Sequence, residues 1–159
     1  MRRHVGIVGA LLLALAACPV LASDWGTIVP GISTQATVRA QYGSATKTVA
    51  GQLEGYDTMQ WIYEGGQAPV GMVRMVVDFG LLTAAGYKAD VVRDFRLEPK
   101  PGVFTQQTIL MGWGRPSRAG REENTPVFFY EEGLVVYFDK EGWLAERMIF
   151  TPRQPPLGR

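Results

Sequence analysis

PGISTQATVRAQYGSA at residues 30–45 and PGVFTQQTILMGWGRP at residues 101–116 are the two stretches that decide the fold of this chain. Aligned from their first prolines, Pro30 and Pro101, they share six of their sixteen positions without a gap. Similarity at a fixed offset is typical of one structural unit used twice. We therefore expect a tandem repeat, with a first unit over residues 27–98 and a second unit over residues 99–151.

Each of the two stretches predicts a short helix. A hydroxyl group before a helix accepts hydrogen bonds from the free N–H groups of its first turn, and a glycine suits the left-handed residue that follows the last turn. An apolar residue just before the cap is typical of a hydrophobic staple. These features are Ile32, Ser33 or Thr34, and Gly43 in the first stretch, and Val103, Thr105 and Gly114 in the second.

The segments after each helix predict three antiparallel strands joined by short polar connections. They cover residues 58–63, 72–79 and 90–97 in the first unit, and residues 127–131, 134–139 and 143–150 in the second. The expected fold class is therefore α+β: a tandem repeat of a helix and three antiparallel strands, with the helices packed on one face of the sheet. The sequence leaves open whether the units share one sheet. Residues 152–159, with three prolines, are expected to be disordered.

Alternation along these strands separates two faces, because residues two apart in a strand point the same way. The side chains expected to form the core under the helices are Trp61, Tyr63, Met75, Val77, Phe79, Phe128, Tyr130, Leu134, Val136 and Phe138. The opposite face is expected to carry Ile62, Arg74, Val76, Asp78, Phe129, Val135 and Tyr137.

Arg74, Phe129 and Tyr137 on that opposite face are the candidate partner-binding residues. Aromatic and arginine side chains contribute much of the binding energy at protein interfaces. The alternative interpretation is a free sheet face with scattered apolar residues and no partner.

The N-terminal segment, residues 1–22, predicts export. Residues 1–4 are basic and residues 5–17 are apolar, and this apolar run is too short to span a bilayer. Small residues before Ser23 suit cleavage after Ala22, whereas residues 15–18 resemble a lipobox in which Cys18 would be lipidated. Both sites remain open. With either site we expect the protein in the periplasm or on the periplasmic face of the outer membrane. Only the lipobox would leave a membrane attachment, the lipid on Cys18.

Composition excludes several classes of function. Removal of residues 1–22 takes away two of the 16 basic residues, none of the 15 acidic ones, and the only His and the only Cys. The basic and acidic residues that remain nearly balance, and this near-neutral charge argues against a protein that binds nucleic acid electrostatically. The missing residue types argue against a Ser-His-Asp triad, a cysteine nucleophile and the usual zinc ligands. A Ser-x-x-Lys match at residues 44–47 lacks the companion motifs of penicillin-recognising enzymes. We therefore expect no enzyme, and no catalytic, cofactor or metal-binding residue.

Several motifs resemble those of the BamE (SmpA/OmlA) envelope lipoproteins. The second unit has a helix ending in Trp-Gly-Arg-Pro at residues 113–116, an aromatic strand at 128–130, and an apolar strand at 134–139 before Gly142. The first unit matches through residues 42–45 and 61–63, with Ala45 in place of the proline and an insertion at 81–88. Two units in tandem are closer to the β-lactamase inhibitor proteins, which resemble a duplicated form of that fold.

The resemblance implies a protein-binding module that needs no cofactor. It favours an accessory of outer-membrane assembly, as BamE is, acting on a protein partner in the cell envelope. One alternative is an inhibitor or regulator of a periplasmic or secreted enzyme. Another is a carrier of a lipid or other small ligand in a groove between the units. A hydrolase without His or Cys is the last alternative.

Overall fold

The computed structural model describes residues 25–153, in which eight strands and two short α-helices follow one another. The first half contains α1 (Gln35–Tyr42), β1 (Lys47–Leu53), β2 (Tyr56–Glu64), a 3-10 turn (Gly65–Gln67), β3 (Met72–Thr83) and β4 (Gly86–Pro99). The second half contains α2 (Gln106–Trp113), β5 (Arg118–Glu122), β6 (Thr125–Tyr130), β7 (Leu134–Phe138) and β8 (Ala145–Phe150).

All eight strands belong to one antiparallel sheet in the order β1-β2-β3-β4-β8-β7-β6-β5. The order within each half follows the chain, and the two last strands, β4 and β8, meet in the middle. Phe95 faces Phe150 and Leu97 faces Met148 across this seam. Two similar halves are therefore related by a pseudo-two-fold axis through the sheet, which leaves β1 and β5 as its two edges.

The expected fold class was wrong. Each half carries a helix and four strands instead of three, and the strands form one continuous sheet that dominates the structure. The helices are only eight residues long each. The expected insertion at residues 81–88 also has a different role, because β3 and β4 continue through it and form a long hairpin.

The two strands that sequence analysis missed are the edge strands β1 and β5. Every residue of both is exposed, and their sequences, KTVAGQL and RAGRE, show no apolar face. An edge strand exposed on both faces has no need of hydrophobic alternation, so the pattern that identifies buried strands is missing. Each edge strand is instead joined to the next strand by a two-residue turn, Glu54–Gly55 or Glu123–Asn124, in which both residues have positive φ.

The two helices begin and end in the same way. Thr34 and Thr105 each accept a hydrogen bond from the backbone N–H three residues ahead, and Thr37 and Thr108 complete the two capping boxes. Gly43 and Gly114 end the helices with φ of 73° and 76°. The expected staple at Ile32 was wrong, because 73% of this residue is exposed.

The hydrophobic core lies between the sheet and the two helices. Its cluster includes Val38 of α1, Ile109 of α2, and side chains from both halves of the sheet. All ten residues expected in the core belong to it, with Phe128 at its partly buried margin. Phe95 and Phe150 stack across the seam, with ring centroids 4.4 Å apart. The two halves therefore share a single core.

The expected N-terminal features lie outside the described residues, including the signal segment at residues 1–22 and Cys18. Of the expected tail, Pro152 and Arg153 are described. Pro152 is half-buried, and its ring lies close to Gly31. Residues 154–159 lie outside the described part. Within residues 25–153, no helix is long and apolar enough to cross a membrane.

Candidate binding face

The sheet face opposite the helices carries one row of side chains that crosses all eight strands. Neighbouring residues in this row are paired in the strand register from one edge to the other. From β1 to β5 the row is Lys47, Ile62, Val76, Arg96, Ile149, Val135, Phe129 and Arg118. We call this surface the open face. It has cations at both ends and apolar residues on either side of a central arginine.

The two apolar stretches of the row differ in exposure. Ile62 and Val76, in the first half, are only 5% and 6% exposed. Val135, Ile149 and Phe129, in the second half, are half-buried and therefore accessible. The second half of the open face thus offers the larger accessible apolar area.

Arg74 lies on β3 between two carboxylates of the neighbouring strands. Its guanidinium is 3.6 Å from Glu64 on β2 and 3.8 Å from Glu98 on β4. All three side chains are partly exposed, so these ion pairs contribute little to stability. The charge of Arg74 is balanced within the sheet, which leaves it less available to an outside carboxylate.

Asp78 is the centre of a second charged cluster on the open face. It is 7% exposed, and it accepts from Arg96 at 2.7 Å and from Gln60 at 2.8 Å. Arg93 lies 3.7 Å from Asp78 and also bonds Asp94. Burial raises the pKa of Asp94, and the nearby Asp78 raises it further against the opposing effect of Arg93. The cluster is internally balanced and ties β2, β3 and β4 together.

Two arginines in the second half lie over aromatic rings. The guanidinium carbon Cζ of Arg118 is 4.6 Å from the ring centroid of Phe129, and that of Arg147 is 4.1 Å from the ring centroid of Tyr137. The Tyr137 hydroxyl donates to Glu122 at 2.9 Å. Burial raises the pKa of Tyr137, and the Glu122 carboxylate adds to this increase. Stacking orients each guanidinium and leaves the N–H groups at its edge free to bind an acceptor.

The structure places the three predicted binding residues on one face but not in one patch. Phe129 and Tyr137 are diagonal neighbours on β6 and β7, since Phe129 pairs with Val135 and Tyr137 pairs with Val127. Arg74 lies on β3, three strand spacings from β7, or about 14 Å. We therefore assign Phe129 and Tyr137 to one candidate site and Arg74 to a separate ion-pair cluster.

Sequence reasoning missed several residues of the open face, among them Lys47, Arg96, Arg118, Arg147 and Ile149. A signal was present for Arg96 and Ile149, because each lies between two core residues of its strand. Arg147 lies two residues before Ile149 on the same strand, so alternation places it on the same face as Ile149. Arg118 lies on an edge strand that carries no such pattern.

The open face is slightly hollow where β4 meets β8. A depression of about 330 Å³ lies here, lined by Val76, Ile149, Arg74, Arg96 and Arg147 among others. A larger groove of about 610 Å³ lies beyond Tyr137 and Arg147, with Glu98, Asp139 and Leu144 in its lining. Both depressions combine apolar stems with charged groups. This mixture suits contact with a protein surface better than enclosure of a lipid chain.

The described residues hold no arrangement for metal binding. Within residues 25–153, no group of three or more His, Cys, Asp or Glu side chains is placed to bind a metal ion. The acidic residues of the open face are bonded to arginines or to Tyr137. What the face offers chemically is apolar contact, stacked guanidinium groups and hydrogen bonding.

No protein-family model matches the chain, and no curated protein matches it. Among solved structures, it is similar to a DUF4309 family protein, YjgB, from Bacillus subtilis. The two chains are 14% identical, with 79% of this chain and 82% of that chain covered and a TM-score of 0.48. This distant similarity carries no functional assignment.

Proposed function

We propose that this chain is an exported, non-enzymatic protein-binding module of the cell envelope, and that it holds a folded protein partner against the open face. The observation that carries the proposal is the accessible apolar group of Val135, Ile149 and Phe129, bordered by arginines stacked on aromatic rings. Its proposed cellular role is that of an accessory in envelope assembly, and the basic and apolar segments of residues 1–22 support export.

The charges of the open face indicate what the partner surface should carry. Arg74, Arg93 and Arg96 are each paired with a carboxylate. Arg147 is exposed and, among residues 25–153, has no carboxylate within ion-pair distance. A guanidinium that has no carboxylate partner, beside an apolar group, fits a partner surface with a carboxylate next to apolar side chains.

Photo-crosslinking in the cell tests this proposal. A photoreactive amino acid replaces Val135 on the open face, and in a control strain it replaces Met111, which is 76% exposed on α2. We expect a discrete crosslinked partner from position 135 and none from position 111. Equal crosslinking from both positions, or crosslinking from position 111 alone, would contradict binding by the open face.

The identity of the crosslinked protein separates the two main roles. A component of outer-membrane assembly would support the accessory role. A single soluble periplasmic enzyme, captured one-to-one, would replace that role with inhibition or regulation while leaving the open face as the binding surface.

Tyr137→Ala provides a second test of the same surface. Tyr137 is half-buried and stacks with Arg147, so its removal should weaken partner capture about tenfold or more. The matched control Met111→Ala removes an exposed side chain on the helix side and should leave capture unchanged. Thermal unfolding of both variants should stay close to that of the parent chain. Loss of folding in Tyr137→Ala would instead make this residue part of the core.

A further inference from the structure

The free edge at β5 presents backbone groups that have no partner within the sheet. β5 pairs only with β6, and all five of its residues are exposed. Its turn consists of Glu123 and Asn124, both with positive φ, which is the two-residue type I′ geometry. The two residues that flank such a turn, Glu122 and Thr125, form two backbone N–H···O=C hydrogen bonds with each other. Every second residue pair from there along the hairpin is hydrogen-bonded in the same way.

This alternation determines which backbone groups point outward. Arg121 faces Pro126, and proline has no N–H, so this pair belongs to the set that does not exchange hydrogen bonds. The N–H and C=O groups of Ala119 and Arg121 therefore point away from β6, toward the free edge. Arg118 and Glu122 have their side chains on the open face, in line with Phe129 and its neighbours, and Gly120 lies between them without a side chain.

We propose that two copies of this chain pair through their β5 strands, antiparallel about a two-fold axis at Gly120. In this register Ala119 of each copy faces Arg121 of the other, and the outward groups exchange four N–H···O=C hydrogen bonds. Two eight-stranded sheets become one sheet of sixteen strands. An interface built from the same strand in both copies is isologous and closes as a dimer.

Side-chain charges match in this register. Arg118 comes to lie opposite Glu122 of the second copy, and Glu122 lies opposite Arg118 of the second copy. Residues directly opposite in antiparallel strands have Cβ atoms about 4.5–5.5 Å apart, within reach of an ion pair. Gly120, at the axis, puts no side chain between the two pairs. Arg118 can make this contact while it stacks on Phe129, because stacking leaves the edge of its guanidinium free.

The other edge strand, β1, does not bring opposite charges together in this way. Antiparallel pairing of two β1 strands about Ala50 would place Lys47 opposite Leu53, with no opposite charge to meet it. The β1 turn, Glu54 and Gly55, also has positive φ at both residues, and Leu53 and Tyr56 close it. The N–H of Ala50 therefore points outward as that of Ala119 does. The two alanines form a matched pair for an experiment.

Analytical ultracentrifugation of the purified exported chain over a range of concentrations tests the dimer. We expect a reversible monomer–dimer equilibrium. Arg118→Glu and Glu122→Arg each place like charges opposite one another and should raise the dimer Kd at least about tenfold. The double variant R118E/E122R restores opposite charges, and its Kd should return to within about threefold of the parent value. All three changes are at exposed positions, and circular dichroism checks that the chains fold.

Proline substitutions identify which edge is used. Ala119→Pro removes an outward N–H that the β5–β6 pairing does not need, so it should abolish dimerisation and leave the monomer folded. Ala50→Pro makes the same change on β1 and should leave the dimer intact. A parent chain that stays monomeric at every concentration overturns the proposal. So does a dimer that the charge exchange does not restore, or one that Ala50→Pro abolishes and Ala119→Pro does not.

Discussion

Tyr63 and Tyr130 are the residues that most clearly mark the two halves as copies. Each is buried under its helix, and each donates its hydroxyl to the carbonyl of the glycine that ends that helix. The O–O distances are 3.2 Å for Tyr63 to Gly43 and 3.1 Å for Tyr130 to Gly114. Burial raises the pKa of each phenol to about 12.

These raised pKa values predict a loss of stability in alkali. The phenols ionise near pH 10 in the unfolded chain but only near pH 12 in the folded one. Their contribution to the free energy of unfolding is therefore fully present below pH 10 and falls as the pH rises toward 12. Urea unfolding at pH 9, 10 and 11 measures this slope.

The double variant Tyr63→Phe/Tyr130→Phe is the control for this pH dependence. It should make the slope above pH 10 shallower, with the remainder left to Tyr42 and Tyr137, whose pKa values burial also raises. It should cost about 1 kcal/mol per hydroxyl at neutral pH. An unchanged slope in the double variant would assign the alkaline sensitivity to other groups.

Residue-level prediction from sequence succeeded for the core and only in part for the open face. Alternation correctly assigned all ten expected core residues, and it placed Arg74, Phe129 and Tyr137 on the opposite face. It did not predict that Arg74 is balanced by Glu64 and Glu98, whereas Tyr137 stacks with Arg147. Such pairings join strands that are distant in sequence.

The two helices depend on their caps because each is only eight residues long. A helix of two turns has few internal hydrogen bonds and is stable mainly through docking and capping. In α2, Thr105 and Thr108 each bond the other's backbone N–H, and Ile109 is the buried contact with the core.

Removal of the α2 cap should therefore lower stability measurably. Thr105→Ala deletes the hydroxyl that accepts from the Thr108 N–H, and we expect it to lower the free energy of unfolding by about 1 kcal/mol. Thr48→Ala on the exposed edge strand β1 is the matched control and should change stability by less than about 0.5 kcal/mol. Urea denaturation followed by circular dichroism measures both. Equal effects would mean that the cap contributes nothing specific.

The seam between β4 and β8 joins the two halves into one sheet with one hydrophobic core. Only three residue pairs lie opposite each other across this seam. Phe95 and Phe150 nevertheless stack there with parallel rings, and both are fully buried. Leu97 and Met148, also fully buried, continue the contact. Neither half has a separate core, so we expect one cooperative unfolding transition.

Phe150→Ala tests this coupling. It removes a ring from the shared core and should lower the free energy of unfolding by about 3–5 kcal/mol. Phe129→Ala is the matched control on the half-exposed open face, with an expected cost of about 1 kcal/mol. Tryptophan fluorescence and circular dichroism should give coincident transitions in the parent chain. Two separated transitions would mean that the halves unfold independently.

The sequence by itself determined the likeness of the two halves, the two capped helices and the side of each inner strand that is buried. These features depend on local patterns: a fixed offset, a hydroxyl before a helix, and alternation of apolar residues. A strand with one buried face must carry that alternation, so the core could be predicted.

Only the tertiary structure decided that the halves share one sheet, that β1 and β5 complete it, and that Arg118 and Arg147 lie on aromatic rings of the open face. An edge strand gains its place from backbone pairing with its neighbour and needs no apolar face. The seam brings Phe95 of the first half against Phe150 of the second, and no local pattern encodes a contact between residues so far apart in the chain.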